Sequence, residues 1–192
     1  MKITPITTRR VEPPKDDLFK ILSESLPDTL NEKVVIVISS KIIALCEGSV
    51  VPLSEVVDKD DLIMKESEYY LPREYTPGGW VMHTIKNNLV MSSSGIDASN
   101  SGDYYVLWPR DSYASARSIQ EWILKQYGIS HCGVVITDSR SLPFRSGVVG
   151  ISLGHYGFNS LHSYRGTEDL FGRVMKISKT NVADSLASVG VF

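Results

Sequence analysis

The chain has 192 residues, of which 42% are hydrophobic and 22% charged, and it carries a formal net charge of −2. This is ordinary globular composition, long enough to bury a real core in one large domain or two small ones. The charge balance excludes a global basic field for nucleic acid or an anionic membrane. No stretch has the length and apolarity of a signal segment or a membrane span, so a cytoplasmic protein is the default expectation.

Pro5, Pro13 and Pro14 surround Arg9-Arg10, which predicts an extended start with a solvated basic pair. Asp16-Asp17 caps a predicted helix with Leu18, Ile21, Leu22 and Leu26 at helical spacing, and Pro27 stops it. Residues 34–38 form a β-branched apolar run that reads as a buried strand. The run empties into Ser39-Ser40-Lys41. A strand ending in hydroxyls and a lysine suits a phosphate contact, although Lys41 alone reads as a surface lysine and no P-loop pattern occurs. Residues 42–46 predict a short helix closed by Glu47-Gly48, and they include Cys46. Cys46 and Cys132 have no metal-ligand spacing and are expected as buried small hydrophobes.

Residues 54–79 predict a helix and then a long loop ending in Pro77-Gly78-Gly79, with Tyr69, Tyr70 and Tyr75 expected to pack. Residues 80–84 and 89–91 flank Asn87-Asn88 as a hairpin. It feeds directly into S-S-S-G-I-D-A-S-N over residues 92–100. Residues 104–108 predict a strand ended by Pro109. Ser112 is expected to cap the clearest helix, with Ala116, Ile119, Trp122, Ile123 and Tyr127 on its apolar face and Gly128 at its C-terminus. Residues 133–136 predict a buried strand running into Thr137-Asp138-Ser139, then an exposed loop over 140–147 and a strand over 148–153. Thr167 is expected to cap a helix with Leu170, Phe171 and Val174 on one face. Ser178 is expected to start the last helix, with Val182, Ala183, Leu186 and Val189 inward. The interleaved strands and helices argue a mixed α/β or α+β architecture.

Asp97 and Asp138 each follow an apolar strand directly. The plain reading of Asp97 and Asn100 is an Asx-turn that satisfies its own backbone. If the two strands are neighbours, however, the carboxylates converge. Ligands of open sheets bind beyond the carboxyl ends of strands, and two desolvated carboxylates call for a cation. Oxygen donors from Asp97, Asn100, Asp138 and Ser139 favour Mg²⁺ or Mn²⁺ over zinc, with Ser40 and Lys41 as phosphate contacts. His83, His131, His155 and His162 are scattered and read as structural or surface residues.

S-S-G-I-D-A-S-N, L-W-P-R-D-S-Y-A-S-A and G-V-V-I-T-D-S-R-S-L-P-F-R-S-G, in that order, resemble the coenzyme F420-0:L-glutamate ligase family. So do the opening I-T-P-I-T-T-R-R-V and the later Y-R-G-T-E-D-L-F-G-R. The likeness is closest to its bacterial branch, described as folate-metabolism γ-glutamate ligases. The resemblance implies a ligase-like mixed fold, an intertwined homodimer, and a γ-glutamyl amide bond formed between L-glutamate and an acid acceptor. GTP is the implied co-substrate, a divalent cation the implied cofactor, and an acyl phosphate the implied intermediate. It carries metal ligation onto Asp97, Asn100, Asp138 and Ser139, and nucleotide contacts onto Ser40 and Lys41. Arg145 sits in a loop suited to an anionic substrate; with Asp97 and Asp138 it completes the candidate catalytic residues.

Two departures stand out. A second lysine of some archaeal members aligns with Leu45. Family members also continue past the last helix with a nucleotide-contacting segment, which this chain is expected to lack because it ends at Phe192. The competing readings are a shortened, non-catalytic relative that binds nucleotide or metal, and a metal-dependent phosphohydrolase.

Overall fold

The computed structural model describes residues 2–142 and 144–191. Its central sheet has the order β1-β7-β8 and is built from Val34–Ser39 (β1), Cys132–Ser141 (β7) and Val148–Tyr156 (β8). β1 and β7 run parallel, with Val34 opposite Cys132 and Ser39 opposite Thr137. β7 and β8 form an antiparallel pair with a bulge at Ile136/Thr137.

Alternation along these strands selects which helix covers which face. Ile38 of β1 and Cys132, Val134 and Ile136 of β7 join the largest core cluster, with Ile36 packed against it. That cluster also takes in Leu22 and Leu26 at the end of α1 (Leu18–Ser25), Ile43 of α2 (Ser40–Glu47), and Ala116, Ile119 and Ile123 of α4 (Ser112–Tyr127). The opposite face receives α5 (Val182–Gly190). There Gly190 lies against Val37, and Gly150 of β8 lies against the backbone of Ala187.

A smaller lobe lies beside this sandwich. Tyr69–Leu71 (β3), His83–Lys86 (β4) and Leu89–Ser92 (β5) form an antiparallel sheet, and Val50–Pro52 (β2) pairs with Tyr104–Val106 (β6). Leu62 and Ile63 of α3 (Lys59–Lys65) pack there with Met82 and Ile96. Met91, Trp108 and Ile151 bury together and join the lobe to β8. Asn87 and Asn88, both at positive φ, make the hairpin turn where the sequence predicts it. Cys46 and Cys132 are buried free thiols, and burial pushes Cys46 up to about 12.

Several elements differ from the sequence expectation. Residues 54–79 hold α3 and then β3, so the expected loop is partly sheet. Trp80 lies outside any strand and is exposed. β7 runs to Ser141, so Asp138 stands within a strand rather than in a turn after one. Arg9 is not a solvated cation: it holds Asp16 through two hydrogen bonds of 2.6 and 2.8 Å and Glu24 through one of 2.9 Å. No helix forms over residues 164–178. Asp169 instead accepts from the N–H groups of Phe171 and Arg173, Gly172 turns at φ 77°, and Glu168 bridges to Val174. Leu170 and Phe171 project outward, 99% and 88% exposed. The next stretch, Lys179–Asn181 (β10), pairs with Leu161–Ser163 (β9), which delays α5 until Asn181 can cap it.

The cap of α4 is Asp111 rather than Ser112. Its Oδ1 accepts from the N–H groups of Tyr113 (3.0 Å) and Ala114 (2.9 Å). Asp111→Ala should therefore cost about 1 kcal/mol in urea unfolding, whereas Ser112→Ala should change stability by only a few tenths. Equal effects of the two substitutions would contradict this cap.

Candidate functional site

Because β1 and β7 are parallel neighbours in register, their two polar endings are brought side by side. Ser39-Ser40-Lys41 leaves β1 next to Thr137-Asp138-Ser139 of β7. The third arm is Asp97, fixed by reciprocal backbone hydrogen bonds with Val106 of 3.2 and 2.7 Å. Together they line a cavity of about 250 Å³ that includes Ser40, Lys41, Gly95, Asp97, Asp138 and Ser139.

Lys41 stands in the first turn of α2. Its ammonium bonds the Asp97 carboxylate, the Ser99 carbonyl (2.8 Å) and the Ser99 hydroxyl (2.8 Å). Asp97 also accepts from the Ser99 N–H (2.9 Å) and the Ser99 hydroxyl (2.6 Å). The Asx-turn and the convergence of acids are thus both realised by one residue. Burial pushes the Asp97 carboxyl up. The Lys41 ammonium and the two Ser99 donors outweigh this and hold it at about 2.

Asp138 sits in the opposite electrostatic condition. It accepts from the Trp108 indole N–H at 2.6 Å and from the Ser139 N–H at 2.8 Å. Burial nevertheless dominates and raises its carboxyl above the ordinary range; the nearby Asp97 charge adds to the rise and Lys41 offsets part of it. The site therefore holds one neutralised carboxylate and one that lacks a full counter-charge.

Trp108 is a site residue that sequence reasoning missed, since W-P-R after a strand carries no chemical signature. Its approach depends on Gly95, where φ is +71° and an added Cβ would lie 2.0 Å from Nε1 of Trp108. The hydroxyls before Gly95 do not converge on the cavity as a group: Ser94 is buried and donates to the Ile63 carbonyl at 3.2 Å. Among the residues singled out in the sequence, Ser40, Lys41, Asp97, Asp138 and Ser139 are brought together. Asn100 is exposed at φ 56° and does not line this cavity. Arg145 is exposed in the β7–β8 loop, with its backbone N–H on the Leu142 carbonyl at 3.2 Å.

Among the described residues, no group of three or more His, Cys, Asp or Glu is arranged to hold a metal ion. Two carboxylates and hydroxyls do not make an all-protein cage. They do fit Mg²⁺ or Mn²⁺, which bind through one or two carboxylates and complete their shell with water and substrate phosphates. No helix among the described residues is long and apolar enough to cross a membrane.

Residues 5–192 match the family of F420-0:Gamma-glutamyl ligase. The coenzyme F420:L-glutamate ligase of Methanopyrus kandleri is 30% identical over 205 residues, covering 98% of this chain and 79% of the relative. That of Methanocaldococcus jannaschii is 32% identical over 174 residues, covering 81% and 67%. That of Methanococcus maripaludis strain S2 is 31% identical over 172 residues, covering 83% and 69%. These relatives are archaeal.

Proposed function

The chain belongs to the F420-0:Gamma-glutamyl ligase family, and from that premise we propose that it is a GTP-dependent ligase joining L-glutamate to an acid acceptor through a γ-glutamyl amide bond. The single observation that carries the reading is the meeting of Asp97, Asp138 and Lys41 in one cavity, just past the point where the parallel pairing of β1 and β7 stops. The relatives' name favours F420-0 as acceptor over a folate-like acid. The whole chain is read as one catalytic domain, cytoplasmic, and active as a homodimer. Exposed Leu170 and Phe171 would face the second copy.

Asp97, Asp138 and Ser139 would hold Mg²⁺ or Mn²⁺, with Asn100 drawn in as the resemblance implies. The cation would neutralise charge on the nucleotide phosphates. Lys41, which now neutralises Asp97, is positioned to turn to a phosphate oxygen, with Ser40 beside it. An oxygen of the acceptor carboxylate, a glutamyl γ-carboxylate wherever the bond formed is γ-glutamyl, then attacks the γ-phosphorus and GDP departs. The amine of glutamate attacks the resulting acyl carbon, phosphate leaves with the bonding pair, and the nitrogen loses a proton. The protein's share of this chemistry is positioning and charge neutralisation. Arg145 is assigned an anionic group of the acceptor.

Phosphate release from GTP should require L-glutamate, the acceptor and Mg²⁺ or Mn²⁺ together, and it should stop on adding a chelator. Turnover indifferent to chelation would remove the metal assignment. Binding of GTP without turnover under any acceptor would identify a non-catalytic relative, and phosphate release without amide product a phosphohydrolase.

A further inference from the structure

A second and larger cavity, about 460 Å³, is lined in part by Trp108. Such a volume suits a small molecule. It is lined by Ser49, Glu66, Lys86, Asn87, Trp108 and Arg110, among others, and Leu107 lines both cavities. Trp108 lines the second cavity and touches a residue of the first: its N–H reaches Asp138, while its ring lies 5.4 Å from the Lys86 ammonium.

The cationic donors here exceed their acceptors. Lys86 is nearly enclosed, with a side chain 13% exposed, and among the described residues it hydrogen-bonds Glu66 alone, at 2.8 Å. An ammonium has three donors, so two remain. Among the described residues, Arg110 has no carboxylate within ion-pair distance. Its guanidinium makes one long bond of 3.4 Å to the Glu47 carbonyl. Ser49 is 7% exposed, its backbone N–H and carbonyl are both bonded, and among the described residues its buried hydroxyl has no partner. A buried hydroxyl left unpaired is costly, and a wall with two cations and one carboxylate retains a positive charge.

We infer that this second cavity holds the dicarboxylic amino acid of the reaction, with its two carboxylates on Lys86, Arg110 and the Ser49 hydroxyl and its amine left free toward Leu107 and the first cavity. A dicarboxylate with one ammonium carries one net negative charge and complements the wall. Glu66 acts through Lys86, holding the ammonium over the indole. The assignment of the ligand as L-glutamate rests on the ligase reading above; the anion-binding character of the cavity does not.

The test is calorimetric titration of the full chain, without nucleotide, using L-glutamate and glutarate, the same dicarboxylate lacking the amine. Both should bind, and glutarate should inhibit turnover competitively with glutamate. Arg110→Ala should weaken both ligands at least tenfold. Ser49→Ala should weaken them several-fold while leaving the melting temperature equal or higher, which a merely structural hydroxyl would not do. Normal turnover with an unchanged KM for glutamate in both variants would overturn the subsite and leave the ligase reading standing. Glutarate binding that Arg110→Ala abolishes, in a protein that turns over no nucleotide, would uphold the site and sink the ligase reading. Displacement of glutarate by inorganic phosphate at equal concentration would overturn the dicarboxylate assignment.

Discussion

Asp138→Asn should lower kcat by about a thousandfold or more, equivalent to about 4 kcal/mol of transition-state stabilisation, and at the same time make the metal-free protein more stable. The loss follows from removing the one carboxylate in the cavity that lacks a full counter-charge, which is the natural place for a cation. The gain follows from the same fact. The folded state raises the Asp138 carboxyl above its ordinary value, chiefly by burial. The folded protein therefore binds that proton more tightly than the unfolded chain does. The associated stability is fully present below the ordinary carboxylate range and is lost as pH rises through the raised value. Asparagine resembles the protonated form, and its carbonyl can still accept from Trp108.

Thermal unfolding in chelator should thus show the variant melting above wild type at pH 8, with the difference closing as pH falls below about 4, the unperturbed carboxylate value. Asp97 runs the other way. Its carboxyl is held at about 2, so its contribution is present at neutral pH and lost as pH falls toward that value. Adding Mn²⁺ should raise the melting temperature of wild type and not of Asp138→Asn, because only a ligand bound by the folded state shifts the equilibrium. Full turnover in the variant would remove Asp138 from the site.

Gly150→Ala should cost about 3 kcal/mol, lowering the melting temperature by roughly 6–12 °C for a chain of this length. An added Cβ would lie 2.2 Å from the Ala187 carbonyl oxygen, 2.5 Å from its carbon and 2.8 Å from the Cα of Ser188. All three are backbone atoms of α5, so no rotamer change relieves the clash and the helix itself must move. The Thr137 hydroxyl, which contacts the Ala187 carbonyl at 3.4 Å, would lose that neighbour, and Val191 would shift in the cavity wall. Activity should fall with stability. Gly128→Ala is the control. It has φ +63° and nothing within 4 Å of an added Cβ, so it should cost only the left-handed strain, about 1 kcal/mol. A Gly150→Ala protein as stable as wild type would mean that α5 does not pack on β8 as described.

Much of the site was legible because polar residues that close a buried apolar run have few places to go. Residues 34–38 and 133–136 announced strands, and Lys41, Asp97 and Asp138 stood where such runs empty out. The long helix ending at Gly128 was equally plain, since its apolar spacing repeats over many turns. Local patterns failed where two outcomes share one pattern. Leu170, Phe171 and Val174 have helical spacing, yet spacing says only which residues could share a face. It does not say whether a core is there to receive them, and here, around the Asp169 turn, all three are exposed.

What no local pattern could decide was contact between distant segments. Ser39 meets Thr137 only because β1 and β7 pair in parallel, in one register out of several. Lys41 reaches Asp97 across 56 residues of chain, and Trp108 reaches Asp138 across 30. Side-chain chemistry and periodicity set which residues must leave the core. The closing of long loops and the packing of the sheet then decide which of those residues meet, and so which carboxylate is neutralised and which is left to bind a cation.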